Sequence, residues 1–291
     1  MSPFASRAEA RAALLAQELG SESLHLLHVI DNLALEALRY LDQPTLDTEQ
    51  RLMELSRTQL TEIKNKLSEK YRVQVTTTAL NVGRPHTELV RYAQYMNAGL
   101  VVMGAHGAGF IRDLFVGSTV DKVLRKLTLP LLIVKREPLI PYQRILVPVD
   151  FSESSRQGIE MAMSVAPHAD ITALHAFEVP FEAKLRLYQV NDEAIRAYRA
   201  RVKAQRTRKM LQLVSEFKPL DGSLSQLIEL GSAQAVIREK AEMLESDLIV
   251  MGRRGQSAGE DMVLGSVTRR VIQEATCDVL IYRSGALGET A

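Results

Sequence analysis

The chain has 291 residues, with 36 basic and 35 acidic side chains and a net charge of +1, so composition offers no general attraction for nucleic acid or a membrane surface. Its one cysteine, Cys277, excludes an internal disulfide and a zinc site built on several thiolates, and fits a reducing cytosol, so a cytoplasmic protein is expected. Apolar residues make up 46% and charged residues 24%, ordinary for a globular protein, at about twice a typical domain length. The longest apolar stretches, 129–134 and 145–149, fall far short of the roughly 20 residues that span a bilayer, so no membrane crossing is expected.

In chain order, the N-terminus spaces its apolar residues along one helix face and lacks the continuous apolar run of a leader peptide. A helix is expected over 6–19, with Ser6 and Glu9 at the spacing of a capping box. The strand LHLLHVID, the strand LVVMG, a glycine-bearing loop, a helix opening at Gly117-Ser118 and the strand LPLLIVK carry the first half to a linker, REPLIPYQ, bracketed by Pro138 and Pro141. A domain boundary is placed at about residue 140, giving domains 1–140 and 141–291. Beyond it come the strand QRILVPVD, the helix SSRQGIEMAMSVA, the strand DITALHAFE and a long helix over about 191–218. The strand SQLIELG, the helix SAQAVIREKAEML, the strand SDLIVMG, a second glycine loop, the helix GSVTRRVIQEA and the strand CDVLIYR complete the series. Five apolar strands alternating with four helices predict a parallel sheet covered on both faces.

The two halves are copies. Gly104, Gly107, Gly117 and Ser118 match Gly252, Gly255, Gly265 and Ser266 at one offset of 148, as does Gly83 with Gly231, and His28 matches His175 at 147. A repeat of this length indicates duplication of a whole domain, since solenoid units recur every 20 to 50 residues. The first copy differs in opening directly in a helix, without a counterpart of QRILVPVD. That strand would lie in the middle of the sheet, and its loss would leave buried backbone groups unpaired at roughly a kcal/mol or more each. A start site placed too late is the preferred explanation, ahead of a trimmed chain end or a strand contributed from elsewhere.

Chemistry is expected in the loop after the fourth strand. Each copy reads strand, Gly-x2-Gly, nine residues, Gly-Ser, helix. Glycines let a polyanion approach backbone N–H groups, and a helix opening at Gly-Ser aims its unpaired amides at the same place. Hydroxyls of Ser266 and Thr268, or of Ser118 and Thr119, can add uncharged donors. A phosphate group is the expected occupant. Asp150, ending a strand beside the loop, can accept from an adenine amino group or a ribose hydroxyl, or can cap the helix that follows. Arg254 and His106 hold the same slot in the two loops; the arginine can pair with a phosphate or lie solvated.

On these motifs the sequence resembles a tandem universal stress protein over nearly its whole length, since Gly-x2-Gly-x9-Gly-Ser/Thr is the family's ATP-binding signature. The resemblance implies two tandem flavodoxin/Rossmann-like (adenine nucleotide α-hydrolase-like) domains with five-stranded parallel sheets, the first lacking its first strand. It implies an ATP site at Pro148, Val149, Asp150, Ala176, Met251, Gly252, Arg254, Gly255, Gly265, Ser266, Val267 and Thr268. In the first copy Val29, Met103, Gly104, His106, Gly107, Gly117, Ser118 and Thr119 match, without a partner for Asp150. It also implies that LPLLIVK and CDVLIYR pair the two copies inside one chain as single-domain members dimerise, with homodimerisation of whole chains left open. Mg²⁺ or Mn²⁺ is expected only as a companion of ATP, with no metal site of the protein's own.

The chain has no Gly-x4-Gly-Lys-Ser/Thr, no Gly-x-Gly-x2-Gly after a first strand, no HExxH and no CxxC, which argues against a P-loop enzyme, a dinucleotide dehydrogenase and a metallohydrolase. The basic stretch RAYRARVKAQRTRK runs around more than one helix face with few aromatics, favouring a solvated helix over a nucleic-acid site. Three functions remain: an ATP-binding stress regulator acting on an unknown protein partner, which leads; a nucleotide-independent interaction protein; and a slow ATP-hydrolysing or adenylyl-transferring enzyme.

Overall fold

The computed structural model describes residues 2–21, 23–39, 46–107, 117–255 and 264–283. The chain divides into two compact units, Met1–Pro141 and Tyr142–Ala291.

The first unit opens with helix α1 (Pro3–Glu18). Its N-cap is Ser2, whose hydroxyl accepts from the Ala5 amide at 3.1 Å, and not the expected Ser6 with Glu9. Ser2 supplies a capping oxygen and Pro3 the backbone angle that suits the first helical position, so the helix starts a turn earlier. Strand β1 (Leu24–Asp31) follows, then helices α2 (Asn32–Arg39) and α3 (Leu46–Tyr71), strand β2 (Val75–Gly83), helix α4 (Pro85–Tyr95), strand β3 (Val101–Gly104), helix α5 (Ser118–Lys126) and strand β4 (Leu131–Val134). β1 pairs in parallel with β2, and β3 in parallel with β4. Among the described residues no strand lies between β1 and β3. Ala13, Leu14, Leu26, Leu60, Leu67, Tyr71, Val73 and Val75 form a core where α1 and α3 cover β1 and β2.

The second unit contains strand β5 (Arg144–Pro148), helix α6 (Glu153–Val165), strand β6 (Asp170–Phe177), helices α7 (Glu182–Leu187) and α8 (Asp192–Val214) and strand β7 (Leu224–Leu230). Helix α9 (Ala233–Met243), strand β8 (Leu248–Gly252), helix α10 (Ser266–Glu274) and strand β9 (Asp278–Tyr282) complete it. Its strands are ordered β7-β6-β5-β8-β9, all parallel. β5 is the middle strand, and its Leu146 and Val147 are wholly buried. After β7 the chain returns to the other side of β5, so strand order reverses between β5 and β8, where such sheets open a crevice beyond their carboxyl ends. This is the doubly wound α/β fold that the alternation predicts.

The duplication is visible in backbone conformation. Gly83 ends β2 and Gly231 follows β7, with φ of +155° and +146°, angles that a side chain would strain. Gly158 in α6 sits where a Cβ would lie 2.6 Å from Tyr282 Oη, so its absence lets α6 settle onto the sheet. The short α7 was not foreseen. It carries Glu182, which Arg186 and the Arg199 guanidinium of α8 both reach, and these bonds hold the Glu182 carboxyl down at about 2. One of the basic residues of α8 is thereby tied to its own unit.

No helix among the described residues is long and apolar enough to cross a membrane. At the start of β9, the fully buried Asp278 accepts a 2.7 Å hydrogen bond from Tyr142 Oη. Tyr142→Phe is expected to lower unfolding free energy by about 1–3 kcal/mol by removing a donor from a buried carboxylate. Urea denaturation checks this, and an unchanged midpoint would show that the bond contributes nothing.

Candidate functional site

The carboxyl end of β5 sets the site. The Val149 amide donates to Leu174 O at 2.8 Å, carrying the β5–β6 pairing one residue past Pro148. Phe151 then takes a left-handed conformation (φ +63°) and the chain turns into α6. Asp150, at this corner, is held from several directions. Its amide donates to Ser155 Oγ at 2.8 Å, while its Oδ1 accepts from the Ser152 amide at 3.0 Å, Ser152 Oγ at 2.5 Å and Ser155 Oγ at 2.8 Å. Ser152 is also the N-cap of α6. With Oδ1 so engaged, Oδ2 faces the glycine loop, where a Cβ on Gly255 would lie 2.8 Å from it. The two roles weighed for Asp150 are thus divided between its oxygens, one bonding the helix start and the other turned towards the loop.

His175 supports this corner from β6. It is buried, its Nδ1 lies 2.8 Å from the Val149 carbonyl, to which it donates as the Nδ1–H tautomer, and its ring lies 4.2 Å from that of Phe151. Lys209 of α8 stands 6.0 Å from the Phe151 ring. In a parallel strand alternate residues turn both backbone groups to one side. Leu174 faces β5, so Ala176 faces the same way at a level where β5 has already turned off. Its backbone groups therefore point to the crevice.

The other wall is the loop between β8 and α10. The Arg253 amide donates to Tyr282 O at 2.8 Å, and Gly265 returns to the loop through a 3.0 Å bond to Arg253 O. α10 starts with Gly265 as N-cap and no side-chain cap, and has no acidic residue in its first turn. Its positive end is thus directed at the crevice without a carboxylate of its own helix to offset it. Ser266 and Arg254 are exposed and Val267 is half-buried. Thr268 is buried, and its hydroxyl donates to Gly252 O at 3.0 Å, tying α10 to the end of β8. Met251 is buried in β8, and Gly252 packs against the Ser154 side chain. Arg253 is half-buried beside Arg254 and Arg283; burial first, and then these two charges, pull its pKa below the usual arginine value. Residues 256–263, part of the stretch between the second and third signature glycines, lie outside the described residues.

The first unit repeats the loop geometry. Ala105 N donates to Val134 O at 3.0 Å and Gly117 N to Ala105 O at 2.9 Å, and Gly117 is the N-cap of α5, again without a side-chain cap. Ser118 is exposed, Thr119 half-buried, and buried Val120 stands where the second unit has Thr268. Gly104 packs against the backbone of Phe4, whose ring meets His106 edge-on at 4.8 Å. Met103 and Val29, near the carboxyl ends of β3 and β1, are half-buried. The difference lies at Gly107, where a Cβ would find open space in place of the carboxylate that faces Gly255. Residues 108–116 are outside the described residues.

A sequence profile described as the universal stress protein family matches residues 1–135 and 141–283. The chain belongs to the universal stress protein family. Its two matches make it a tandem member. It is 29% identical over 161 residues to a Staphylococcus aureus (strain USA300) protein named as a universal stress protein, a match covering 51% of this chain and 89% of that one. Among solved structures it is similar to a universal stress protein from Archaeoglobus fulgidus, with a TM-score of 0.67, 22% identity and coverage of 98% of this chain and 96% of the other. A protein of Pseudomonas aeruginosa solved under the same family name gives a TM-score of 0.53 at 17% identity, covering 91% and 94%. These structural likenesses concern the fold.

The sequence singles out Asp150 and the glycines, and not the parts played by Ser152, Ser155, Phe151, Arg253 or His175. The spacing of Ser152 and Ser155 behind Asp150 was a usable signal; the left-handed Phe151 was not, because phenylalanine has no preference for that conformation. Burial, aided by the Arg206 and Lys209 charges, pushes the His175 imidazole below its ordinary value, against the opposing pull of the Val149 carbonyl and Asp150. The unfolded chain therefore protonates this histidine at higher pH than the folded one, and stability is lost as pH falls through about 6.5. The melting temperature is expected to drop more between pH 8 and 5 in the parent protein than in His175→Gln; equal slopes would remove His175 as the cause.

Proposed function

We propose that the second unit binds ATP, and that the chain acts as a cytoplasmic stress-response regulator whose nucleotide occupancy stabilises one state for a protein partner to read. The observation that carries this reading is the convergence, at the strand-order reversal, of Asp150 Oδ2, the Gly252–Gly255 loop and the uncapped start of α10. These are complementary to the two ends of one molecule. Asp150 and the backbone of Ala176 suit the amino group and hydroxyls of an adenosine, and the amides from Gly265 to Thr268 suit an anionic tail. Arg254, exposed on the loop, adds a charge that a terminal phosphate can take up.

The pre-set carboxylate and the absence of a side-chain cap distinguish this crevice from an ordinary turn. A turn needs neither an acceptor held by three donors nor a helix start left without its usual Ser, Thr or Asp. Mg²⁺ or Mn²⁺ would arrive with the nucleotide, as a counter-ion of its phosphates. The first unit has the same loop but lacks the carboxylate among its described residues, so the reading assigns ATP to the second unit.

Isothermal titration calorimetry with Mg·ATP is expected to give one site per chain. Asp150→Ala should weaken it by about 10- to 100-fold, the worth of a charged hydrogen bond. Gly255→Val, which would set a side chain against Asp150, should abolish binding while leaving the circular dichroism spectrum unchanged. Absence of heat and of any thermal shift with ATP on folded protein would overturn the proposal.

A further inference from the structure

At the crevice end of its sheet the second unit carries an apolar surface that its own fold leaves uncovered. β6 ends at Phe177, the residue after Ala176, and the short α7 follows before the chain turns into α8. Phe181, Leu187 and Tyr188, at the two ends of α7, are 70%, 78% and 74% exposed. We propose that α7 and the amino-terminal half of α8 form a docking surface for a separate protein, through a segment of that partner in which Asp and Glu accompany large apolar side chains. This gives a place and a chemistry to the partner in the reading above, and rests on that reading for what the partner does.

Spacing along α7 separates two faces. Phe181, Lys184 and Tyr188 follow one another at three and four residues, which puts them on one side of the helix with Leu187, and Lys184 Nζ lies 5.6 Å from the centre of the Phe181 ring. Glu182 and Arg186 occupy the other side. There Glu182 accepts from Arg186 Nε at 3.2 Å and from Arg199 Nε of α8 at 2.8 Å, and Arg186 reaches Asp192 at 3.4 Å. The polar face of α7 is thus engaged with α8, and the apolar one is turned to solvent. Phe181 and Gln189, which flank the helix, both take a left-handed backbone, with φ of +60° and +55°, a conformation unfavourable for residues other than glycine. A stretch free to bury its aromatics and relax its ends would keep neither feature, whereas a preformed binding surface keeps both.

Charge selects the partner. Residues 196–209 hold seven basic side chains and no acidic one, in a chain whose net charge is only +1. Arg199 is engaged by Glu182, but Arg196, Arg201 and Lys203 are exposed and have no ion-pair partner among the described residues. Cations left without counter-charges beside exposed aromatics attract a carboxylate-bearing surface and repel a basic one. An apolar cluster with a charged rim has the anatomy of a protein interface, whereas single-stranded nucleic acid takes aromatics interleaved along a basic track. Here the apolar side chains gather on α7 while the cations run around α8, and Leu187 offers no ring for a base to stack on. The first unit lacks this pairing. Its α2 follows β1 as α7 follows β6, but the helix after it, α3, mixes Glu49, Arg51, Glu54 and Arg57.

The probe is a fluorescein-labelled amphipathic peptide made only of Glu, Leu and Phe, titrated with the full chain in the absence of nucleotide and followed by fluorescence anisotropy. Saturable binding is expected, and Leu187→Ser with Tyr188→Ser, or Arg196→Glu with Lys203→Glu, should each weaken it by about tenfold or more. All four side chains are exposed, so the melting temperature should not move. Tyr95→Ser, which removes an equally exposed aromatic of the first unit, should leave binding unchanged. No saturable binding, equal binding of a peptide with Ser in place of Leu and Phe, or undiminished binding by either double variant overturns the proposal. A preference for single-stranded poly(U) over the peptide, lost in the same variants, would make the ligand a nucleic acid and overturn it as well. So would a dimer in sedimentation velocity that Leu187→Ser with Tyr188→Ser dissociates, since the occupant would then be a second copy. If calorimetry finds no ATP site while the peptide binds as described, the nucleotide reading falls and the docking surface stands.

Discussion

β5 is hydrogen-bonded on both sides and ends at Pro148, after which one further bond, from Val149 to Leu174, precedes the left-handed turn at Phe151. The crevice of the second unit depends on that stop. Because β6 and β8 run on past it, the backbone of Ala176 and the start of the β8–α10 loop are left facing one another across the space that β5 would have filled. Asp150 is delivered to that gap by the strand and fixed there by Ser152 and Ser155. His175 braces the same corner from below through the Val149 carbonyl and the Phe151 ring. These residues set the position of a carboxylate before any ligand arrives, which is the condition under which a hydrogen bond to a ligand costs least in lost freedom.

The first unit serves as an internal control for this account. It has the same loop, the same return bond from the helix N-cap to the residue after the strand, and an equally uncapped helix. Among the described residues no strand lies between β1 and β3, Phe4 and His106 pack together at the head of the loop, and a Cβ on Gly107 would meet open space. Two nearly identical loops thus sit in different surroundings.

Much of the fold was legible from residues. Alternating apolar runs identified the parallel strands, and the offset of 148 identified the duplication, because burial on both faces of a sheet demands continuous apolar segments and a repeated fold repeats its glycines. Local start signals were less legible. Ser6 and Glu9 have the spacing of a capping box, yet Ser2 with Pro3 begins the helix, since both positions satisfy the local rule and only packing chooses between them. The short α7 was missed because six residues carry too little periodicity to read, and its clamp on Arg199 crosses from one helix to the next.

By itself the sequence determined that this protein is two copies of one α/β domain and that its glycines and Gly-Ser helix starts can accommodate an anion. Those properties follow from residue type and spacing along the chain. The tertiary structure alone decided that Asp150 divides its oxygens between the helix start and the glycine loop, that Thr268 bonds Gly252 rather than facing the crevice, and that His175 stands behind the strand end. Each of these is a contact between residues tens of positions apart or a choice of rotamer, and such relations exist only once the sheet has brought its strands into register.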